Sequence, residues 1–176
     1  HVGGRNGQFW EQWDLPQAVG PKEWLLSLCN TAPIMGRRQI VAIHDAATVA
    51  VPQAFSRAFR TWYRLLMPTL GHRALAIVTV SEFSRLELQV AFGVPAAKIS
   101  VVSEGGEHIL GHQPDVDTLA RHALHERPYV LAVSSMAAHK NFQLVLAALA
   151  KIPNPPFDVA IAGGANAAVF GQSGAA

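Results

Sequence analysis

The strongest constraint on this chain is a series of short apolar runs, each closed by glycine or small polar residues. They are Trp24 to Cys29 (WLLSLC), Gln39 to Ile43 (QIVAI), Ala74 to Val80 (ALAIVTV), Lys98 to Ser103 (KISVVS), Tyr129 to Val133 (YVLAV) and Phe157 to Ala162. Runs this short, bounded by turn residues, read as buried strands. Between them the apolar spacing changes to the helical period. Strands that alternate with helices demand a parallel sheet with right-handed crossovers. The expected fold class is α/β, with parallel sheets of Rossmann-like topology.

The helical segments are read as follows. The first twenty residues carry a short helical turn around Phe9, Trp10 and Trp13 that Pro16 ends. A long helix is predicted over Gln53 to Leu70, with Phe55, Phe59, Trp62 and Leu66 on one face and Arg57, Arg60 and Arg64 opposite. Ser81 and Ser84 suit the N-cap of a helix that runs to Phe92, where Gly93 closes it. Further helices are expected from Val116 to Leu124 and from Phe142 to about Lys151, with Asn141 as N-cap of the last. The pattern thins in 107–127, which is taken as a linker between a first domain, 1–106, and a second, 128–176.

Composition excludes several classes. The chain has 176 residues, 50% hydrophobic and 15% charged, which is a globular and not a disordered profile. A net charge of +2 without a basic stripe argues against a nucleic-acid binder. Cys29 is the single cysteine, so neither an intramolecular disulfide nor a cysteine zinc cluster is available, and a reducing, cytoplasmic compartment is expected. No apolar run approaches the roughly 20 residues of a membrane span. His108, His112, His122 and His125 match no standard metal spacing, so no metal is expected. The opening residues HVGGR have neither an initiator Met nor a signal pattern, so the chain is expected to begin partway through a longer protein.

In open parallel sheets, ligands bind beyond the C-terminal ends of the strands. The groups at those ends are His44-Asp45, Ser81-Glu82 with Ser84, Glu104-Gly105-Gly106, Ser134-Ser135, His139-Lys140-Asn141 and Gly163-Gly164. Any one of these is also an ordinary turn residue type, so their order along the chain is the stronger signal.

That order resembles one family. IVAIHDAATVAVP is similar to the "v-t-i-H-D" segment of the group 1 (family 4) retaining glycosyltransferases. VTVSEFSRLELQVAFGVPAAKISVVSEGGEHI resembles their "v-S-e-f-S-r" segment running on to "v-v-p-n-G-v-d". PYVLAVSSMAAHKNFQLVLAAL is similar to the opening strand, phosphate loop and helix of their C-terminal domain. The match covers about Trp24 to Gly164 in unbroken order. It implies a two-Rossmann-domain (GT-B type) enzyme, of which this chain holds the later part of the acceptor-side domain and the start of the donor domain. It further implies transfer of a hexose, mannose among the candidates, from a GDP- or UDP-sugar to a glycan or lipid-linked acceptor in polysaccharide biosynthesis, with retention and no cofactor or metal.

On that resemblance His44 is the catalytic-site residue near the transferred sugar, where its imidazole would meet a hydroxyl or share transition-state charge. Lys140 and the amides after Asn141 would hold the diphosphate, joined by His139, while Gly163 and Gly164 let backbone approach the nucleotide. Asp45 is expected to orient loop backbone; Ser81, Glu82, Ser84, Glu104 and Gly105 either line the cleft or serve the fold. The chain departs from the pattern in places. Ser135 and His139 stand where family members place an Arg, and Glu104 and Glu107 replace the Asn and Asp of "n-G-v-d". The family's Glu-x7-Glu carboxylates would lie beyond Ala176, so this chain by itself is expected to be inactive. A nucleotide-sugar epimerase-like enzyme and a non-catalytic binding fragment are the rival readings. The arginine face of the 53–70 helix also admits peripheral contact with an anionic membrane.

Overall fold

A computed structural model describes residues 3–134 and 140–163. The chain is α/β with parallel sheets, compatible with a Rossmann-like fold, and divides into two compact units. The first holds residues 1–52 and 57–104; the second holds 53–56 and 105–176. The stretch 107–127, expected to be a linker, groups with the second unit.

The first unit opens with α1 (Gly7–Phe9), a π-helical turn (Trp10–Asp14) and α2 (Leu15–Ala18). Pro16 does not end this helical stretch, contrary to the sequence expectation. It sits in the first turn of α2, where a missing amide is tolerated. The stretch is tied down by Gln12, whose amide donates to the Ala32 carbonyl and accepts from Ile34 N, both at 2.9 Å. Buried Asp14 accepts from the Arg5 amide at 2.9 Å and pairs with its guanidinium, which together hold its carboxyl below the usual range.

The strands are β1 (Leu25–Ser27), β2 (Gln39–Ala42), β3 (Ala76–Thr79) and β4 (Ile99–Val101), in sheet order β1-β2-β3-β4 and all parallel. Between β2 and β3 lie α3 (Ala47–Ala50), a 3-10 turn (Pro52–Ala54) and α4 (Arg57–Arg73); α5 (Glu82–Phe92) links β3 to β4. The single helix expected over 53–70 is thus a turn followed by a helix that runs on through Pro68. Continuing past Pro68 leaves the Arg64 carbonyl without its helical donor, a local cost that the packing of Leu66, Met67 and Leu70 offsets.

Consecutive parallel strands joined by right-handed crossovers place their helices on one face. Register sets that face. Val41 pairs with Ile77 and Ile77 with Ile99, and all three enter a core with Leu66, Met67 and Leu70 of α4 and Leu88 and Phe92 of α5. The alternate positions Ile40, Ala42, Ala76 and Val78 are only half-buried, and Leu26 and Val102 are exposed. Phe59 stacks on Tyr63 with ring centres 4.1 Å apart, and burial, with a smaller contribution from the Glu11 carboxylate, pushes the Tyr63 phenol up to about 12.

Thr79 is 1% exposed, and its hydroxyl has no hydrogen-bond partner among the described residues. A buried hydroxyl without a partner carries its desolvation penalty uncompensated. Thr79→Val keeps the shape and removes that group, so it is expected to stabilise the protein by about 1 kcal/mol in urea denaturation. A loss of stability would mean that the hydroxyl has a partner in solution.

The second unit carries a 3-10 turn (Glu107–Gly111), α6 (Val116–Arg121), β5 (Tyr129–Val133), α7 (Phe142–Leu149) and β6 (Asp158–Ala162). β5 and β6 pair in parallel with α7 between them in sequence, a βαβ unit. α6 is shorter than the sequence suggests; it ends at Arg121, and Ala123 follows in the left-handed region. Of the hydrophobic side chains on β5, α7 and β6, only Phe142 is buried, while Leu131, Val133 and Leu144 are exposed.

Candidate functional site

In the first unit the C-terminal strand ends bring His44 and Glu104 together. Ile43 continues the β2–β3 ladder by donating to the Val78 carbonyl at 2.8 Å, which carries His44 just past the sheet. Asn30, past the end of β1, then fixes the His44 backbone. Its side-chain oxygen accepts the His44 amide at 2.7 Å while its own amide donates to the Ala42 carbonyl at 2.9 Å. Asn30 adopts φ 60°, a conformation asparagine tolerates better than most residues. With the backbone held, the His44 ring places Nδ1 2.9 Å from Glu104 Oε1 and Nε2 2.9 Å from the Leu28 carbonyl oxygen. The ring is about one-third exposed.

Asn30 and the Leu28 carbonyl were not singled out from sequence. The signal for Asn30 was available, since an asparagine directly after an apolar run is a residue type suited to a left-handed turn. The Leu28 contact uses a main-chain atom and has no signature in residue identity.

The other groups at these strand ends are engaged in local structure. The Asp45 carboxylate accepts the Ala47 amide at 2.8 Å and so opens α3. Ser81 caps α5, accepting from Ser84 N at 3.1 Å, with the two hydroxyls 3.0 Å apart and Ser84 buried. Glu82 pairs with Arg85 one turn along, at 2.6 Å. At the other end of α5, Gly93 is left-handed at φ 67° and its amide returns to the Gln89 carbonyl at 3.0 Å, the closure expected for glycine. Gly105 lies under the Glu107 carboxylate, which occupies the space a side chain would need.

In the second unit, Lys140 precedes α7 and is exposed, with no ion-pair partner among the described residues. Asn141 occupies the N-cap position, yet its side chain makes no cap hydrogen bond, in contrast to the sequence expectation. The reason is conformational. Asn141 is left-handed at φ 52°, whereas capping requires extended backbone to aim the side-chain oxygen at the first-turn amides. Gly163 follows β6 with its Cα against the Ser134 carbonyl, where a Cβ would overlap that oxygen. Glycine is therefore required there by the β5–β6 strand ends, whose pairing Ser134 N extends by donating to the Ala162 carbonyl at 3.0 Å. Ser135, His139 and Gly164 lie outside the described residues.

Two remaining features carry charge. Arg60 and Arg64 of α4 line a groove of about 350 Å³ with Thr48, Val49, Pro52 and Phe92. No carboxylate pairs with Arg57, Arg60 or Arg64 among the described residues. No group of three His, Cys, Asp or Glu among them is placed to hold a metal ion, and none of their helices is long and apolar enough to cross a membrane.

No protein-family model and no curated protein matches this sequence.

Proposed function

We propose that the chain belongs to a retaining glycosyltransferase of the two-Rossmann-domain (GT-B) type, which moves a hexose from a nucleotide sugar to a glycan or lipid-linked acceptor. The observation that carries this reading is where two motif residues stand. His44 lies directly past the C-terminal end of β2 in a parallel sheet. Lys140 stands immediately ahead of α7, the crossover helix of a parallel βαβ unit. Both are positions at which such sheets bind ligands.

The chemistry follows from charge. As the glycosidic bond of a nucleotide sugar breaks, the departing diphosphate takes up negative charge. The Lys140 ammonium and the uncapped first-turn amides of α7 are donors suited to that charge, and the helix dipole has the matching sign. His44 would contact the sugar, and the arginine face of α4 would favour an anionic, lipid-borne acceptor.

The test is ligand-observed NMR of the chain with GDP-mannose, UDP-glucose and, as a control, free hexose. Saturation transfer to the nucleotide sugars and not to the hexose is the expected result. Equal or absent transfer for all three would overturn the reading.

A further inference from the structure

We propose that the groove beside α4 is a binding site for a phosphate monoester with an apolar body, and that Arg60 and Arg64 hold its anionic head. The two arginines stand four residues apart on one helix, so their side chains leave the same face about 6 Å apart along the axis. Like charges at that spacing repel, and neither arginine has a carboxylate partner among the described residues. Most other arginines are engaged. Arg5, Arg85, Arg121 and Arg127 pair with carboxylates, while Arg38 and Arg73 donate to main-chain carbonyls. Arg60 is half-buried, which reduces the screening of its charge by water. An anion in the groove relieves the repulsion and supplies the missing partner.

The rest of the groove limits what that anion can be. Thr48 lines it and is only 8% exposed, yet its hydroxyl has no hydrogen-bond partner among the described residues. It is therefore a spare donor in the same groove as the arginines. Val49, Pro52 and Phe92 add apolar wall, and a volume of about 350 Å³ lies in the range of small-molecule sites. A carboxylate brings one negative charge and neutralises one arginine of the two. A phosphate monoester brings about 1.5 to 2 at pH 7, with three oxygens to accept from planar guanidinium forks and a hydroxyl. Its organic group then lies on the apolar wall. The same head group occurs on free phosphate esters and on lipid phosphomonoesters. The groove belongs to the first unit alone and uses neither His44 nor Lys140, so the inference does not rest on nucleotide-sugar binding.

The experiment is isothermal titration of the chain with phenyl phosphate, benzoate and phenol at about pH 7.5, where the phosphate monoester is close to a dianion. It is repeated on the double change Arg60→Gln and Arg64→Gln. Neither arginine is buried, and circular dichroism and the melting temperature check that the fold is kept. Phenyl phosphate is expected to bind at least about tenfold more tightly than benzoate, and phenol not at all. The double change should weaken phenyl phosphate about tenfold or more, the scale of one charge-assisted hydrogen bond. Affinity that is unchanged in the double variant, or no greater than that for benzoate, would overturn the inference, as would no binding. Sedimentation with phosphatidic acid vesicles, against phosphatidylcholine as control, separates the two sources. Arginine-dependent sedimentation assigns the head group to a lipid; phenyl phosphate binding without sedimentation assigns it to a free ester. Phosphate-ester binding in a chain that binds no nucleotide sugar would remove the transferase reading and leave the groove's role intact.

Discussion

Replacing Ile77 by alanine is expected to destabilise the first unit by about 2–5 kcal/mol in urea denaturation. Ile77 has no exposed surface and lies on β3, flanked in register by Val41 and Ile99. Above this row sit α4 and α5, so truncation leaves a cavity that neither the sheet ladder nor two helices can close. Against a usual stability of about 5–15 kcal/mol, such a loss removes a large share of the fold's margin. A change below about 1 kcal/mol would show that the centre of the core lies elsewhere.

The second large effect concerns ligand binding. Lys140→Ala is expected to weaken binding of a nucleotide sugar at least about tenfold, the equivalent of about 1.4 kcal/mol, measured by isothermal titration. Lys140 is exposed and unpaired among the described residues, so the change should leave the circular dichroism spectrum and the melting temperature unaltered. Loss of affinity with unchanged folding would locate phosphate recognition ahead of α7. Unchanged affinity would sink the assignment of Lys140.

Much of the local architecture was legible in the residues themselves. β5 spans Tyr129–Val133 as its apolar run suggests, and α5 begins after Ser81 and stops before Gly93 as its caps require. Some boundaries were misjudged. Pro16 reads as a helix stop, yet it lies within a helical stretch, because its placement in the first turn of α2 makes the lost amide tolerable. Asn141 has the composition of a cap without the geometry, since its backbone is left-handed and its side chain makes no cap hydrogen bond. The candidate residues Asp45, Ser81, Glu82 and Ser84 were legible as strand-end polar groups. That each has a local partner was not.

What the sequence determined by itself is the alternation of strands and helices, the parallel class of the sheet and the polar set that follows the strands. These depend on hydrophobic period and on capping, which act over a few neighbouring residues. The strand order, the single helix-covered face of the first sheet and the bridge from Leu28 through His44 to Glu104 were decided only by the tertiary structure. They depend on crossover hand, on register and on the reach of one side chain between segments far apart in the chain. Residue identity alone does not specify any of the three.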